Sequence, residues 1–284
     1  MPLGLLKYGL RSDYPGKHHF SESAELKDHY DVVIIGAGGH GAAIAYYLAR
    51  YHGITNVAVL DKAYLGGGNT ARNTAVIRSN YLTEDSVRFY RESVKLFGGL
   101  SNELDYNIMM EDRGQLTLAQ SDAAIRSFRW RAEVNARLGV RSELVDRQTI
   151  RELVPNLRMD EDSRYPILGG LWHADGATAR HDAVVWGYAR AACQLGVELH
   201  QLTEVQGIDV VNGAVTGVMT NRGRVGCGCV VQAVAGMSSV VADLAGIKLP
   251  IHTFPLQAMV TQPYKPVLTP LVSSPQLHVY IQQT

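Results

Sequence analysis

The sequence predicts an α/β fold, in which a Rossmann-like domain with a parallel sheet is interrupted by an inserted α+β domain. Three observations support this prediction. The run Val32–Ile35 is apolar on both faces, as a central parallel strand is, and a glycine-rich turn follows it directly. Between residues 84 and 168 helical patterns alternate with short strands. After residue 197 three strand patterns follow one another, separated by hairpin-turn signals.

The first helix and second strand complete a strand–helix–strand unit. A helix is expected from His40 to His52, ended by Gly53, and a parallel strand over Val57–Leu60. The helical spacing of four apolar residues predicts the face that packs on the sheet. They are Ile44, Tyr47, Leu48 and Tyr51.

The remaining elements are predicted by periodicity and by turn residues. Helices are expected at about 84–97, 122–138 and 147–153, and strands at 115–119, 142–145 and 197–200. A further helix is expected to be capped by Asp182 and ended by Gly196, and Asn212-Gly213 is expected to form a hairpin turn. Prolines in the tail predict short or edge strands there.

These elements suggest discontinuous domains. We expect an N-terminal arm at 1–30, a cofactor-binding domain at 31–83 and 169–236, and a substrate or interface domain at 84–168 and 237–284. The last residues, 277–284, alternate like a strand and then stop without a turn or cap. We therefore expect the second domain to be incomplete at its C-terminus.

Composition excludes some classes of partner. Among 284 residues, 27 Lys and Arg balance 27 Asp and Glu, so no net charge attracts nucleic acid or an anionic membrane. No apolar run reaches the length of a membrane helix, and no signal peptide is apparent, so we expect a cytoplasmic protein. The three cysteines, two of them spaced C-x-C, predict neither disulfides nor a metal site.

The glycine-rich turn matches a dinucleotide-binding motif. Residues 36–41, Gly-Ala-Gly-Gly-His-Gly, fit G-x-G-x-x-G, and Asp61 ends the next strand. The glycines allow a tight turn, a close approach of the backbone to a pyrophosphate, and close packing of helix on strand; the acid would bind ribose hydroxyls. Such a motif alone is usually only a turn, but here the strand, the helix and the acid all stand where the motif requires them.

The segment Gly66–Arg78 bears on which dinucleotide binds. It is a run of glycine, small polar and cationic residues, whereas NAD enzymes normally resume strand–helix alternation after the ribose-binding acid. A plain surface loop is the alternative. The length of the irregular run favours a functional loop, and with the inserted domain it favours FAD over NAD.

At these residues the chain resembles the D-amino-acid-oxidase-like family of FAD-dependent amine oxidoreductases. Within that family it is most similar to the beta subunits of heterotetrameric sarcosine oxidases. The resemblance lies in YDVVIIGAGGHGAAIAYYLARYHGITNVAVL, GGGNTARNTAVIRSNYL, RYPILGGLW and ARHDAVVWGYARAA. It implies an FAD-binding domain of the glutathione-reductase type with an inserted substrate domain, in a chain that such subunits continue past its end.

The resemblance also implies which residues bind FAD non-covalently. The pyrophosphate would be held by Gly36, Gly38, Gly39, His40 and Gly41, with the ribose on Asp61, where the family often has Glu. The loop along FAD would comprise Asn69, Thr70, Arg72, Thr74 and Val76, and the backbone at Val205 would meet the adenine. Arg78 is expected near the flavin or a substrate carboxylate, with a structural ion pair as the alternative.

A second, covalent flavin is a further implication of the resemblance. Such subunits carry FMN on a histidine through the flavin 8-methyl carbon, and the local motif points to His181, within Arg180-His181-Asp182. A helix start disfavours an imidazolium, which leaves the ring neutral and nucleophilic. Arg180 would pair with polar groups of FMN. His173 is the alternative attachment site.

The implied reaction is oxidation of sarcosine, a secondary amine, to glycine. The one-carbon unit would pass to tetrahydrofolate on a larger alpha subunit, and the electrons would pass from FAD to FMN and reduce oxygen to hydrogen peroxide, in a heterotetramer with small subunits. The alternatives are FAD-only glycine, proline or dimethylglycine oxidoreductases, a non-catalytic flavin-binding chain, and an NAD dehydrogenase.

Overall fold

The computed structural model describes residues 20, 23 and 25–283. Within them the chain forms two compact units. The first comprises the described residues up to Leu65 together with Tyr188–Ile251, and the second comprises Gly66–Gly187 and the residues from His252 on. Both units are discontinuous, and their borders differ from the domain borders expected from sequence. The assignment of cofactor and substrate domains to residue ranges stays a prediction, and most of the expected arm lies outside the described residues.

The strands and helices of the described residues are as follows. The strands are β1 (His29–Ile35), β2 (Val57–Leu60), β3 (Val76–Ile77), β4 (Glu111–Asp112), β5 (Gln115–Ala119), β6 (Ser142–Val145), β7 (Gly169–His173), β8 (Ala177–Thr178), β9 (Glu198–His200), β10 (Val205–Val211), β11 (Ala214–Thr220), β12 (Gly223–Gln232), β13 (Leu271–Ser274) and β14 (Val279–Ile281). The α-helices are α1 (Gly39–His52), α2 (Glu84–Glu103), α3 (Asp122–Arg137), α4 (Arg147–Leu153), α5 (His181–Gln194) and α6 (Ser238–Asp243), and 3₁₀ turns cover Asn69–Arg72 and Ala235–Met237.

The first unit is built on a six-stranded sheet in the order β10-β11-β12-β1-β2-β9. Strands β12, β1, β2 and β9 run parallel, and β10, β11 and β12 form the predicted antiparallel meander. Val32–Ile35 is buried along its whole length, as its apolar pattern predicts. At the turn between β10 and β11, Asn212 and Gly213 both have positive φ angles, 52° and 79°, as a type I′ hairpin requires.

Helix α1 ends where the sequence predicts, but it packs with a different face. Gly53 ends it in the left-handed region at φ 66°, and its amide donates to the carbonyl of Leu48. The expected buried face was wrong, because Tyr51 is 62% exposed and Ile44, Tyr47 and Leu48 are only partly buried. The buried residues are instead mainly small, namely Gly41, Ala42, Ala45, Tyr46 and Ala49. Small side chains let a helix lie close against a sheet. The hydrophobicity of the residues alone does not predict which face is buried in this way.

The second unit contains two sheets. One has the order β14-β13-β5-β7-β6, and the other, β3-β8-β4, consists of two-residue strands. The predicted strands 115–119 and 142–145 and the predicted helix 147–153 are confirmed, whereas the first helix, α2, extends to Glu103. The tail contributes the short strand β13 and the edge strand β14.

Within the described residues, no helix has both the length and the apolar character needed to cross a membrane.

Candidate functional site

The glycine turn, residues 36–41, lies in the first unit between β1 and α1. Gly36 has φ 105°, and a Cβ there would lie 2.6 Å from the carbonyl oxygen of Ala233. A Cβ at Gly41 would lie 1.9 Å from the carbonyl oxygen of Gly36. Both contacts are with backbone, which cannot rotate away as a side chain can. Glycine is therefore required at the first and last positions of the motif.

The turn leads into the amino end of α1. Gly38 caps the helix with extended backbone (φ −80°, ψ −178°), and the helix begins at Gly39. His40 is exposed in the first turn, whereas Gly41 is buried. The amino end of a helix carries partial positive charge and attracts phosphate, and the absence of side chains at the glycines lets the phosphate approach the backbone. These residues fit the pyrophosphate of a dinucleotide.

Asp61 follows β2 and holds the glycine turn in place. One carboxylate oxygen, Oδ2, accepts a hydrogen bond from the amide of Ala37 at 2.8 Å, and Oδ1 accepts one from the amide of Ala63 at 2.8 Å. The side chain is only partly buried. Because each carboxylate oxygen can accept more than one hydrogen bond, the same group can still accept from a ribose hydroxyl. Asp61 thus has a structural contact that the sequence did not predict.

Val205 is the first residue of β10, where it pairs with Thr220 of β11. Its side chain is half-buried against the core of the six-stranded sheet, which includes Val33 and Leu60. The backbone at this position is therefore fixed by a strand, as a backbone contact to a ligand would need.

The loop from Gly66 belongs to the second unit and is organised by Arg72. Its guanidinium donates to the carbonyl oxygens of Gly67 and Gly68, the latter at 2.8 Å. Gly66 has φ 74°, and a Cβ there would meet the Val185 side chain at 2.9 Å. In the predicted FAD-binding role Arg72 would thus shape the loop as well as face a ligand.

The other residues predicted along FAD follow in the same loop. Asn69 and Thr70 lie in a 3₁₀ turn, and the side-chain amide of Asn73 donates to the carbonyl oxygen of Thr70 at 2.6 Å. The carbonyl oxygen of Thr74 accepts from the side chain of Gln282. Val76 begins β3 and pairs with Thr178. The segment expected to be irregular therefore contains two short ordered elements.

Arg78 lies in the second unit among residues that sequence reasoning missed. Its guanidinium donates to Asn80 Oδ1 at 3.0 Å and stacks 4.3 Å above the ring of Tyr81. Asn135 of α3 is fully buried, and its side-chain amide donates to the carbonyl oxygen of Tyr81 at 2.8 Å. We call Arg78, Asn80, Tyr81, Arg131 and Asn135 the arginine cluster.

A signal for this cluster was present in α3. Arg131 and Asn135 stand three and seven residues after Phe128, which is buried, so all three share one helix face. Polar residues on a core-facing stripe indicate buried polar contacts.

His173, the alternative attachment site, has a structural role. It is 0% exposed, its Nδ1 lies 2.9 Å from the carbonyl oxygen of Arg141, and its Nε2 accepts from the amide of Ser79 at 3.4 Å. Burial lowers the pKa of His173, so the ring is neutral at pH 7. Both ring nitrogens are therefore engaged by backbone.

His181 is the first residue of α5 and is half-buried. Within the described residues its Nδ1 is buried and has no hydrogen-bond partner. Its neighbour Arg180 is paired with Asp182, Nη2 to Oδ2 at 2.9 Å, and this pairing lowers the pKa of Asp182. Asp182 lies inside the first turn rather than before it, and its Oδ1 accepts from the amide of Ala183.

A comparison with protein families bears on these sites. The model of the family described as FAD dependent oxidoreductase matches residues 31–284. The chain belongs to this family. The resemblance seen in the glycine turn and in the segment that follows Asp61 is thus confirmed, and the family's description names FAD, the dinucleotide that the sequence favoured.

Curated relatives are also similar over most of the chain. The chain is 47% identical over 262 residues to the sarcosine oxidase subunit beta of Rhodobacter capsulatus, and 48% identical over 258 residues to that of Rhizobium meliloti. These alignments cover 92% and 91% of the chain. The chain spans 63% and 62% of the length of these relatives.

A solved structure shares the fold. The crystal structure of L-proline dehydrogenase from P. horikoshii superimposes with a TM-score of 0.80 at 29% identity, covering 91% of this chain and 68% of that one. The α/β fold with mixed sheets is thereby confirmed.

Proposed function

We propose that this chain acts as the flavin-carrying beta subunit of a sarcosine oxidase. The observation that carries the proposal is the identity of 47% and 48% to sarcosine oxidase beta subunits over more than nine-tenths of the chain. The glycine turn supports it, because a Cβ at Gly36 or Gly41 would collide with backbone carbonyl oxygens, so the tight turn into the amino end of α1 requires glycine at both positions. FAD would lie with its pyrophosphate at the amino end of α1 and a ribose on Asp61. The roles of Asn69, Thr70, Arg72, Thr74, Val76 and Val205 rest on the family resemblance.

FAD, when bound, supplies a two-electron acceptor for the N-methyl carbon of the amine. The protein's own part is to bind and orient the substrate. Arg78 would hold the substrate carboxylate, since its guanidinium is fixed by Asn80 and Tyr81 and keeps donors for a second acceptor. With the carboxylate fixed, the N-methyl group has a defined position. The products would be glycine and a one-carbon unit for tetrahydrofolate on a partner subunit, and oxygen would become hydrogen peroxide.

His181 is our proposed attachment site for a covalent FMN. The unpartnered Nδ1 at the start of α5 supports this, and the engagement of both nitrogens of His173 argues against the alternative. Arg180 is already paired with Asp182, so it would bind polar groups of FMN only through guanidinium N–H groups that this pair leaves available.

The enzyme activity is tested with the flavin-loaded protein co-purified with its partner subunits. Hydrogen peroxide release is measured with sarcosine, dimethylglycine, L-proline and glycine as substrates. The proposal expects the highest kcat/KM for sarcosine. Preference for L-proline or glycine would replace it with an FAD-only oxidoreductase of the same family.

Covalent flavin is tested by acid precipitation. We expect part of the flavin to stay with the precipitated polypeptide. His181→Asn should release all flavin on precipitation, although before precipitation the native variant should still contain FAD. Full release from the unsubstituted protein, or unchanged retention in the variant, would contradict the assignment of His181.

A further inference from the structure

The arginine cluster holds two cations without a matching anion. Among the residues that the structure describes, Arg78 and Arg131 form no ion pair with a carboxylate; Arg78 binds a neutral amide, and the charged neighbour that acts most on Arg131 is Arg78 itself. Burial, together with the charge of Arg78, lowers the pKa of Arg131 to about 10, so Arg131 is still charged at neutral pH. Two like charges in a half-buried region disfavour each other, and an anion would relieve this.

Donors in the same cluster also lack acceptors. Asn80 is 0% exposed, and its Nδ2 has no hydrogen-bond partner in the described chain; the Nε of Arg131 is buried and likewise unpaired. Buried donors of this kind are uncommon in folded proteins and indicate an acceptor that the chain itself does not supply. Two positive charges nearby favour a negatively charged acceptor over a neutral one.

The backbone of the cluster is fixed from two sides. The side-chain amide of Asn135 donates at 2.8 Å both to the carbonyl oxygen of Tyr81 and to that of Arg131, which ties the segment after β3 to helix α3. The ring of Tyr81 also stacks on that of Tyr90, with centroids 3.9 Å apart. The segment that carries Arg78 and Tyr81 is therefore tied by hydrogen bonds to the helix that carries Arg131.

We propose that Arg131 is a second cation of the carboxylate subsite at Arg78, with the Asn80 amide as a further donor. This rests on the proposed function only in taking the carboxylate to be that of the substrate. Arg131 would share the negative charge with Arg78 and would favour amines that carry a carboxylate over those that lack one.

The test is binding of acetate, a carboxylate that cannot be oxidised at an N-methyl group. The flavin-loaded protein is titrated with sodium acetate at constant ionic strength, and the shift in Tm gives the apparent Kd. We expect Arg131→Met to raise this Kd by about 10- to 100-fold, the effect of losing one charge-assisted contact. Arg129→Met is the control, because Arg129 is exposed on the same helix and its loss changes the net charge equally. An acetate Kd for Arg131→Met equal to that of the control would overturn the proposal.

A double-mutant cycle with Arg78→Met asks whether both arginines act on one anion. If they do, the losses of acetate affinity in the single variants will not add in the double variant, whereas additive losses would mean separate sites and would contradict the proposal. Should Arg131→Met fold poorly, Arg131→Gln is the second variant, because it keeps a polar side chain and removes the charge. A raised acetate Kd is expected for Arg131→Gln, and an unchanged Kd would overturn the proposal.

Sarcosine kinetics separate this inference from the proposed function. We expect Arg131→Met to raise KM about tenfold or more with a smaller change in kcat. Acetate binding that depends on Arg131 in a protein that does not oxidise sarcosine would support the subsite and refute the proposed substrate. Sarcosine oxidation with a KM unaffected by Arg131→Met would support the proposed substrate and refute the role of Arg131 in the carboxylate subsite.

Discussion

In the first unit the candidate dinucleotide site is made by backbone, whereas in the second unit the arginine cluster is made by side chains. The glycine turn comes from six consecutive residues, and the carboxylate of Asp61 supports it through an amide hydrogen bond. The cluster brings together residues 78–81 and helix α3, with Asn135 donating across 54 positions of sequence. A site made of local backbone tolerates almost no added atoms, whereas a side-chain cluster can adjust. Substitutions in the two regions should therefore cause losses of stability of different size. A second substitution nearby should reduce the loss in the second unit but not in the first.

The largest effect is expected for Gly41→Ala in the first unit. The new Cβ would lie 1.9 Å from the carbonyl oxygen of Gly36, so the turn would have to open. We expect a loss of at least about 3 kcal/mol in the free energy of unfolding, with loss of FAD binding. Urea unfolding and flavin content measure both. Gly98→Ala, which adds a Cβ in open space on α2, serves as control and should not destabilise the protein.

A smaller effect is expected for Asp61→Asn. The amide keeps one acceptor oxygen but loses the charge and one of the two hydrogen bonds to the amides of Ala37 and Ala63. We expect a loss of about 1.5–3 kcal/mol in stability and a weaker FAD affinity. Isothermal titration of the apoprotein with FAD measures the affinity. Asp31→Asn, at an exposed position, is the matched control, and equal effects of the two substitutions would refute the structural role of Asp61.

Gly66 is a glycine of the second unit whose substitution should be partly rescued by a second substitution, whereas that of Gly41 should not. Gly66→Ala costs about 1–3 kcal/mol, because φ is 74° and the Cβ would lie 2.9 Å from a methyl group of Val185. In a Val185→Ala background that methyl group is gone, and only the cost of the left-handed backbone, about 1–2 kcal/mol, should remain. Urea unfolding of the four proteins of the cycle tests this, and strict additivity would contradict it.

The smallest expected effect is the dependence of the free energy of unfolding on pH that is due to His173. Burial lowers the pKa of His173 in the folded state, so the unfolded chain binds a proton first as pH falls. Stability from this group is present above its unfolded pKa of about 6.5 and is lost as pH falls below it, at no more than about 1.4 kcal/mol per pH unit. His200 in the first unit is also buried with a lowered pKa and adds a loss of the same sign.

Unfolding in urea at several pH values between 7 and 5 measures this slope. His173→Gln should make it shallower, whereas His52→Gln, at an exposed position, should leave it unchanged. A slope unaffected by His173→Gln would mean that this ring titrates alike in the folded and unfolded states.

Short-range features of the fold could be predicted from the sequence. The limits of β2, β5, β6 and α4, the left-handed Gly53 and the hairpin at Asn212-Gly213 are confirmed, because each depends on residues within a few positions of one another. The buried face of α1 could not be predicted from hydrophobicity, since the sheet beneath selects small residues for close packing and leaves Tyr51 outside.

The candidate sites show the same division. The sequence by itself determined the glycine turn and its acid, because that site is local backbone conformation encoded by glycine. Only the tertiary structure decided that both ring nitrogens of His173 are engaged by backbone, and that Asp61 supports the turn through Ala37. The tertiary structure also revealed that Arg131 and Asn135 join Arg78 in one cluster. Burial, unmatched donors and charge proximity are set by segments distant in sequence, and no local pattern encodes them.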